Sequence, residues 1–375
     1  MLKILHLVEF LGITGKTTLL CDLIAHTGKQ FDYKILSRYG GVREKVLQDL
    51  GAEVEILRTQ RLTFIGEQYM TFKRIKAFQP DIVVCWSGRA NLTSTWVALA
   101  RIPVVWTIHN VYEKLFGLKA KLAVLVSACL SSRVPNKIVC CCDATADVYA
   151  RHHRYANNKL IVIPNGVDTS KFKPDSAACQ SIKSELNLDD KTIVITIAGA
   201  FRPSRPDKDF ASFIKAAGIV HEKHPNIKYL MCGYGLNWHN SRLVSWIKDS
   251  GIGRVTQLLG PRDDLHRILA ATDIIVSSSQ FEAFGTTIFE GMASGCLPVC
   301  TDVGEMPKGA RDIGKVVPTG DPRMLANAMC ELIELDRNER ALLSAKAVAR
   351  VAEQYSIRIT AEHYSSLFKE IVAQH

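Results

Sequence analysis

The sequence predicts an α/β protein built from two doubly wound parallel sheets. Three observations carry that prediction. The chain has 375 residues, more than one ordinary domain holds. Short β-branched runs alternate with longer helical stretches from end to end, the pattern of parallel strands covered on both faces. A Pro164-Asn165-Gly166 cluster interrupts the alternation with a turn. With 47% hydrophobic and 22% charged residues the composition is globular, which excludes disorder.

In the first half the predicted strands are Lys3–Phe10, Tyr33–Ser37, Glu53–Leu57, Ile82–Trp86, Val104–Ile108 and Lys137–Cys142, with helix-like stretches at Thr17–Thr27, Arg43–Leu50 and Glu67–Ala77. The run Ile161-Val162-Ile163 leads into the turn. The second series reads Thr192–Ala198, Lys228–Cys232, Val255–Leu259, Ile274–Ser278 and Leu297–Cys300. The expected division is residues 1–165, residues 166–355, and a closing helix over 356–375 that returns to the first domain. No period of 20–50 residues recurs, so a solenoid is excluded. Ligands of such sheets sit beyond the carboxyl ends of the strands, and two sheets face to face would enclose a cleft.

No secretory leader precedes the first strand, and the apolar stretch Leu122–Leu130 is about half of what a spanning helix needs. The eleven cysteines contain no C-x-x-C pair, which argues against a zinc site or disulfide framework and for a cytoplasmic protein. The net charge of +10 is placed unevenly: residues 1–160 hold 22 Lys and Arg against 12 Asp and Glu, and the remainder hold 25 of each. A basic first half suits an anionic acceptor or membrane surface. Aromatic-basic interleaving is missing, so nucleic acid is not an expected partner. Lys114, Lys119 and Lys121, beside Leu115-Phe116-Gly117-Leu118 and Leu122–Leu130, are candidates for peripheral docking on the inner face of a membrane. The competing reading is a core helix with its lysines in water.

The densest motif runs from Ser277 to Glu290. A buried strand ends near Ser278, Glu282 lies in the loop, and a helix starts around Gly285. Free amides of Gly285, Thr286 and Thr287 would form an anion site favoured by the helix dipole. Glu290 falls one turn on, above the face of Thr286 and Thr287, where a carboxylate suits paired ribose hydroxyls.

The Glu282-x7-Glu290 pair resembles the signature of glycosyltransferase family 4, retaining enzymes of the GT-B fold with two facing Rossmann-like domains. Further marks agree in order: Val162 to Asp168 with Phe172, Gly233-Tyr234-Gly235, Leu259-Gly260, Ala270 to Asp273, Glu290 to Val299 and Gly320-Asp321-Pro322. The match covers residues 161–375 and thins in the first half to Gly12–Gly15, His109 and strand order. The resemblance implies that Glu290 holds the donor ribose, that Glu282 bonds the transferred sugar, and that the amides of Phe284, Gly285 and Thr286 contact sugar and phosphate. It also implies a basic pair against the diphosphate leaving group, where negative charge accumulates. The usual Arg-x4-Lys is replaced by Gly199-Ala200-Phe201-Arg202-Pro203-Ser204-Arg205-Pro206-Asp207-Lys208. Lys208 is carried over, and Arg202 and Arg205 compete for the other role. His109, ending a strand, is implied to position the transferred sugar and not to bind a metal.

Gly12-Ile13-Thr14-Gly15-Lys16-Thr17-Thr18 imitates a phosphate-binding P-loop, but Phe10 stands where that motif needs its first glycine. By resemblance Gly15 approaches the donor phosphate, whereas the family gives Lys16 no role. Gly233-Tyr234-Gly235 lacks the third glycine of a dinucleotide site, and no Asp-x-Asp follows a strand to hold a divalent metal. The expected activity is therefore metal-independent, cofactor-free transfer from a UDP- or GDP-sugar to a saccharide or lipid-linked acceptor in cell-envelope polysaccharide or glycolipid synthesis. The mechanism implied is front-face attack with retention. The alternatives are a nucleotide-sugar epimerase or hydrolase on the same scaffold, which would need no acceptor, and a non-catalytic nucleotide-sugar-binding module.

Overall fold

The computed structural model describes residues 1–58, 63–110, 118–203 and 206–375. Two compact units divide the chain: unit 1 is Met1–Gly166 with Ile357–His375, and unit 2 is Val167–Ser356.

In unit 1, strands β1 (Leu2–Phe10), β2 (Phe31–Tyr39), β3 (Glu53–Ile56), β4 (Ile82–Cys85), β5 (Val104–Ile108), β6 (Lys137–Cys140) and β7 (Leu160–Val162) form one sheet in the order β3-β2-β1-β4-β5-β6-β7. Every pairing is parallel. Side chains alternate across a strand, so Val105 joins the core on one face while Val104 and Trp106 join the other. Both faces being covered, the strands are apolar runs and not alternating ones.

Helix Ile357–Ala373 completes one of those cores. Ile357, Ala361, Tyr364 and Phe368 recur at helical spacing and are buried, with Phe368 edge-on to Phe31 at 6.0 Å. Thr360 Oγ1 donates to the Pro164 carbonyl at 3.0 Å. A Cβ at Gly166 would stand 2.4 Å from Ile357 Cα, so only glycine lets the chain pass here.

In unit 2, β8 (Ile193–Ala198), β9 (Ile227–Cys232), β10 (Thr256–Gly260), β11 (Ile274–Ser277), β12 (Leu297–Thr301) and β13 (Lys315–Val317) run in the order β10-β9-β8-β11-β12-β13, again all parallel. The short β13 was not expected from sequence, and the strand expected through Cys142 ends at Cys140, because the Cys142 thiol caps helix Asp143–Arg151 instead. All eleven cysteines are free thiols. Among the described residues no helix is long and apolar enough to cross a membrane.

Each sheet reverses its winding once, between β1 and β4 and between β8 and β11. The loops leaving those two pairs of strands diverge, which opens a crevice at the carboxyl edge.

Candidate active site

The crevice of unit 2 gathers Lys208, Glu282 and the helix start at Gly285. Lys208 ends the short 3-10 turn Pro206–Lys208, and its Nζ forms an ion pair with Glu282 Oε2, the two side chains being 28% and 21% exposed. The loops that carry them are laced together. Buried Ser278 donates its hydroxyl to the carbonyls of Lys208 and Asp209, at 2.9 and 3.0 Å. The Gln280 amide donates to Asp207 O at 2.8 Å, and Gln280 Nε2 donates to Asp209 Oδ2 at 3.1 Å.

Gly285 caps helix Thr286–Ala293 with φ 84°, and no side chain caps that helix or places an acid in its first turn. The positive end of the helix is thus available to an anion. A Cβ at Gly285 would lie 2.3 Å from Met306 Cγ, so both backbone conformation and packing demand glycine. Phe284 is buried and stacks on Phe289 with centroids 4.5 Å apart. Its ring also meets Tyr355 edge-on at 5.9 Å, so the side chain belongs to the packed interior. Half-buried Glu290 sits on the same helix one turn beyond Thr286 and Thr287. Arg202 is exposed and lines a cavity of about 120 Å³ with Lys208, Arg242 and Trp246. Arg205 lies outside the described residues.

The crevice of unit 1 holds Gly15 and His109. Thr14 caps helix Gly15–Thr27 through a reciprocal box with Thr17, and the Thr17 hydroxyl also donates to the Gly12 carbonyl. Gly15 is exposed, and a Cβ there would meet nothing within 4 Å. Packing therefore does not explain a glycine at this position. His109 Nδ1 lies 3.1 Å from Asn165 Oδ1, and its ring stacks on Trp86 at 5.1 Å with an interplanar angle of 4°. Burial and the nearby Lys16 charge hold its pKa well below the usual imidazole range, so the ring is neutral near pH 7. Trp86 Nε1 in turn donates to buried His6 Nδ1 at 2.9 Å. Trp86 and the Asn165 side chain were not singled out from sequence. The one available signal was position, since Trp86 directly follows β4 at the switch point.

Among the described residues no group of three or more His, Cys, Asp or Glu is placed to hold a metal ion.

Two doubly wound parallel sheets, each with a crevice at its carboxyl edge, define an α/β protein of the GT-B fold. Residues 180–350 match the model of glycosyl transferases group 1 and residues 23–171 match that of glycosyltransferase family 4; the chain belongs to this family of glycosyltransferases. It is similar to a D-inositol 3-phosphate glycosyltransferase of Saccharomonospora viridis, with 27% identity over 64% of this chain and 56% of the relative. It also resembles an Escherichia coli UDP-Gal:alpha-D-GlcNAc-diphosphoundecaprenol alpha-1,3-galactosyltransferase, with 26% identity over 62% of this chain and 60% of the relative. The matches thus span less than two thirds of these curated relatives. Among solved structures, Anabaena HepE in complex with UDP-glucose superposes with a TM-score of 0.85 at 18% identity, over 99% of this chain and all of that one.

Proposed function

We propose that the chain transfers a hexosyl group from a nucleoside-diphosphate sugar to a saccharide or lipid-linked acceptor, with retention and without a metal ion, in cell-envelope polysaccharide or glycolipid synthesis. The observation that carries this reading is the Lys208–Glu282 ion pair beside the uncapped helix start at Gly285. A cation, a carboxylate and the first amides of a helix without a side-chain cap, within one loop system, suit a sugar diphosphate. In this reading Lys208, with Arg202 or Arg205, meets the diphosphate, and the amides of Phe284 to Thr286 complete its cradle. Glu282 bonds the sugar and Glu290 the ribose. Gly15 approaches the phosphate through its backbone, and neutral His109 positions the sugar as a hydrogen-bonding ring. The sugar C1–O bond breaks toward phosphate, the departing oxygen takes the acceptor hydroxyl's proton, and the new C1–O bond forms on the same face. UDP is the nucleotide of the HepE complex and of the E. coli relative's named donor, which makes UDP-sugars the first donors to try, with GDP-sugars next.

Incubation with a panel of nucleotide sugars in excess EDTA tests the reading. Nucleotide release should require an acceptor, and the product's anomeric configuration should match the donor's. Release without an acceptor would point to a hydrolase, and a strict need for Mg²⁺ or Mn²⁺ would contradict the assignment of charge neutralisation to Lys208.

A surface observation supports a second element of the proposal, reversible docking of unit 1 on an anionic leaflet. Helices Gly88–Leu99 and Leu118–Leu130 pack side by side and expose Trp96, Leu99, Leu122 and Leu125. Lys121 is exposed beside them, while Lys114 and the Lys119 side chain lie outside the described residues. Liposome co-sedimentation should require anionic lipid, fade in roughly 0.5 M salt and fall when the three lysines become glutamine. Equal recovery on neutral vesicles would remove the membrane from the proposal.

A further inference from the structure

A buried histidine of the first sheet takes no part in the reading above. His6 stands in the middle of β1, in register with Ile35 and Val84, and faces the apolar core that those two residues line. Among the described residues its Nε2 has no hydrogen-bond partner. A leucine or phenylalanine here would strand no polar atom. Stability alone therefore does not account for the histidine. The hydrogen bond that it does make gives the reason, since Nδ1 accepts from Trp86 Nε1 at 2.9 Å.

That bond fixes a plane. Trp86 is buried, and its backbone is held on both sides: the amide donates to the Leu7 carbonyl at 3.0 Å, and the carbonyl accepts from Lys16 Nζ at 3.3 Å. The indole could still turn, because the torsion joining an aromatic ring to its Cβ is soft. Its N–H on His6 removes that freedom, and Tyr33 backs the His6 ring at 5.6 Å. His109 lies flat on the indole, 4° from parallel, so one plane sets the other. Asn165 then selects the tautomer. An amide oxygen only accepts, so the Nδ1–H of His109 donates to Asn165 Oδ1 at 3.1 Å, and the lone pair of the neutral ring stays on Nε2.

We propose that His6 and Trp86 are positioning residues for the transfer. His6 sets the indole plane, and the indole holds His109 so that its Nε2 lone pair is presented to a hydroxyl of the transferred sugar. The last step rests on the role given above to His109; the relay from His6 to that ring does not.

Two measurements on the full chain test the relay, once thermal melts have confirmed that the variants fold. The first is the imidazole nitrogen spectrum near neutral pH of protein carrying isotope-labelled histidine, with the His109 signals identified by their loss in H109A. The wild type should show one protonated and one bare nitrogen, widely separated. In H6F the two should draw together as the ring turns and its tautomers mix. H6N, which returns an acceptor to the indole, should restore them. W86F breaks the same bond from the other partner, so the test does not depend on H6F folding.

The second measurement is nucleotide release in the presence of an acceptor. H6F should lower kcat about tenfold, the worth of one misaligned hydrogen bond, with the donor KM within about twofold. In the H109A background H6F should add nothing, because it acts through that ring. Unchanged His109 signals in both H6F and W86F, or an H6F loss that persists in full without His109, would overturn the proposal. A wild-type kcat in H109A would instead overturn the role given to His109, and the nitrogen spectrum would still decide the relay.

Discussion

Replacing Lys208 by methionine separates a structural ion pair from a catalytic one. Methionine keeps most of the length and loses the charge. The stability cost follows from exposure. With the two side chains 28% and 21% exposed, the pair lies nearer a surface bridge, worth about 0.2–1 kcal/mol, than a fully buried one, whose breaking costs about 3–5 kcal/mol. Glu282 left alone can still hydrate. For a unit of this size 1 kcal/mol shifts the melting temperature by about 2–4 °C, so K208M should melt no more than about 4 °C below the wild type. The reaction should suffer far more. Removing one preorganised donor to developing negative charge costs about 10²–10³ in kcat, because the diphosphate gains charge only as the glycosidic bond breaks. Donor turnover measured by nucleotide release, beside scanning calorimetry on the same preparation, gives both numbers. A kcat within threefold of wild type, together with a lowered melting temperature, would show that the pair merely ties two loops together.

Gly285→Ala should destabilise unit 2 by about 1–3 kcal/mol in urea titration, since φ 84° and a Met306 contact at 2.3 Å both oppose a Cβ; unchanged stability would show that the loop relaxes freely. Unit 1 should lose stability on acidification. Burial lowers the His6 pKa to about 3, while the unfolded ring titrates near 6.5, so its contribution is complete above that pH and is lost as pH falls. Between pH 7.5 and 5.0 the loss from this one ring is about 2 kcal/mol, readable as faster opening of β1 in hydrogen exchange corrected for intrinsic rates; equal opening free energies would refute it.

The sequence predicted most strands because burial on both faces leaves an apolar run that few helices imitate. It missed β13, where Lys315-Val316-Val317 is too short, and at Lys315 too charged, to stand out. In the site, the strand-loop-helix carrying Glu282, Gly285 and Glu290 was legible because its parts are neighbours in the chain. The ion pair to Lys208 was not, since the partners lie 74 positions apart in the chain and only the β8–β11 adjacency brings them together. The same holds for Trp86 and Asn165. A tryptophan after a strand is marked only by its position, and an asparagine in a turn not at all, until the sheet stacks one on His109 and turns the other towards it.

The place of helix Ile357–Ala373 in unit 1 sets the order in which the chain can finish folding. Domains generally fold as units as they leave the ribosome, but this helix follows the whole of unit 2 in synthesis. Throughout that interval the nascent first sheet shows Phe31 and the inner face of helix Gly15–Thr27 bare, the surface that Tyr364 and Phe368 later cover. Unit 2, continuous in sequence, is free to close first. A cell making this protein therefore holds a half-dressed, aggregation-prone sheet for the length of time it takes to translate unit 2, and slow translation or scarce chaperones should cost yield there before anywhere else.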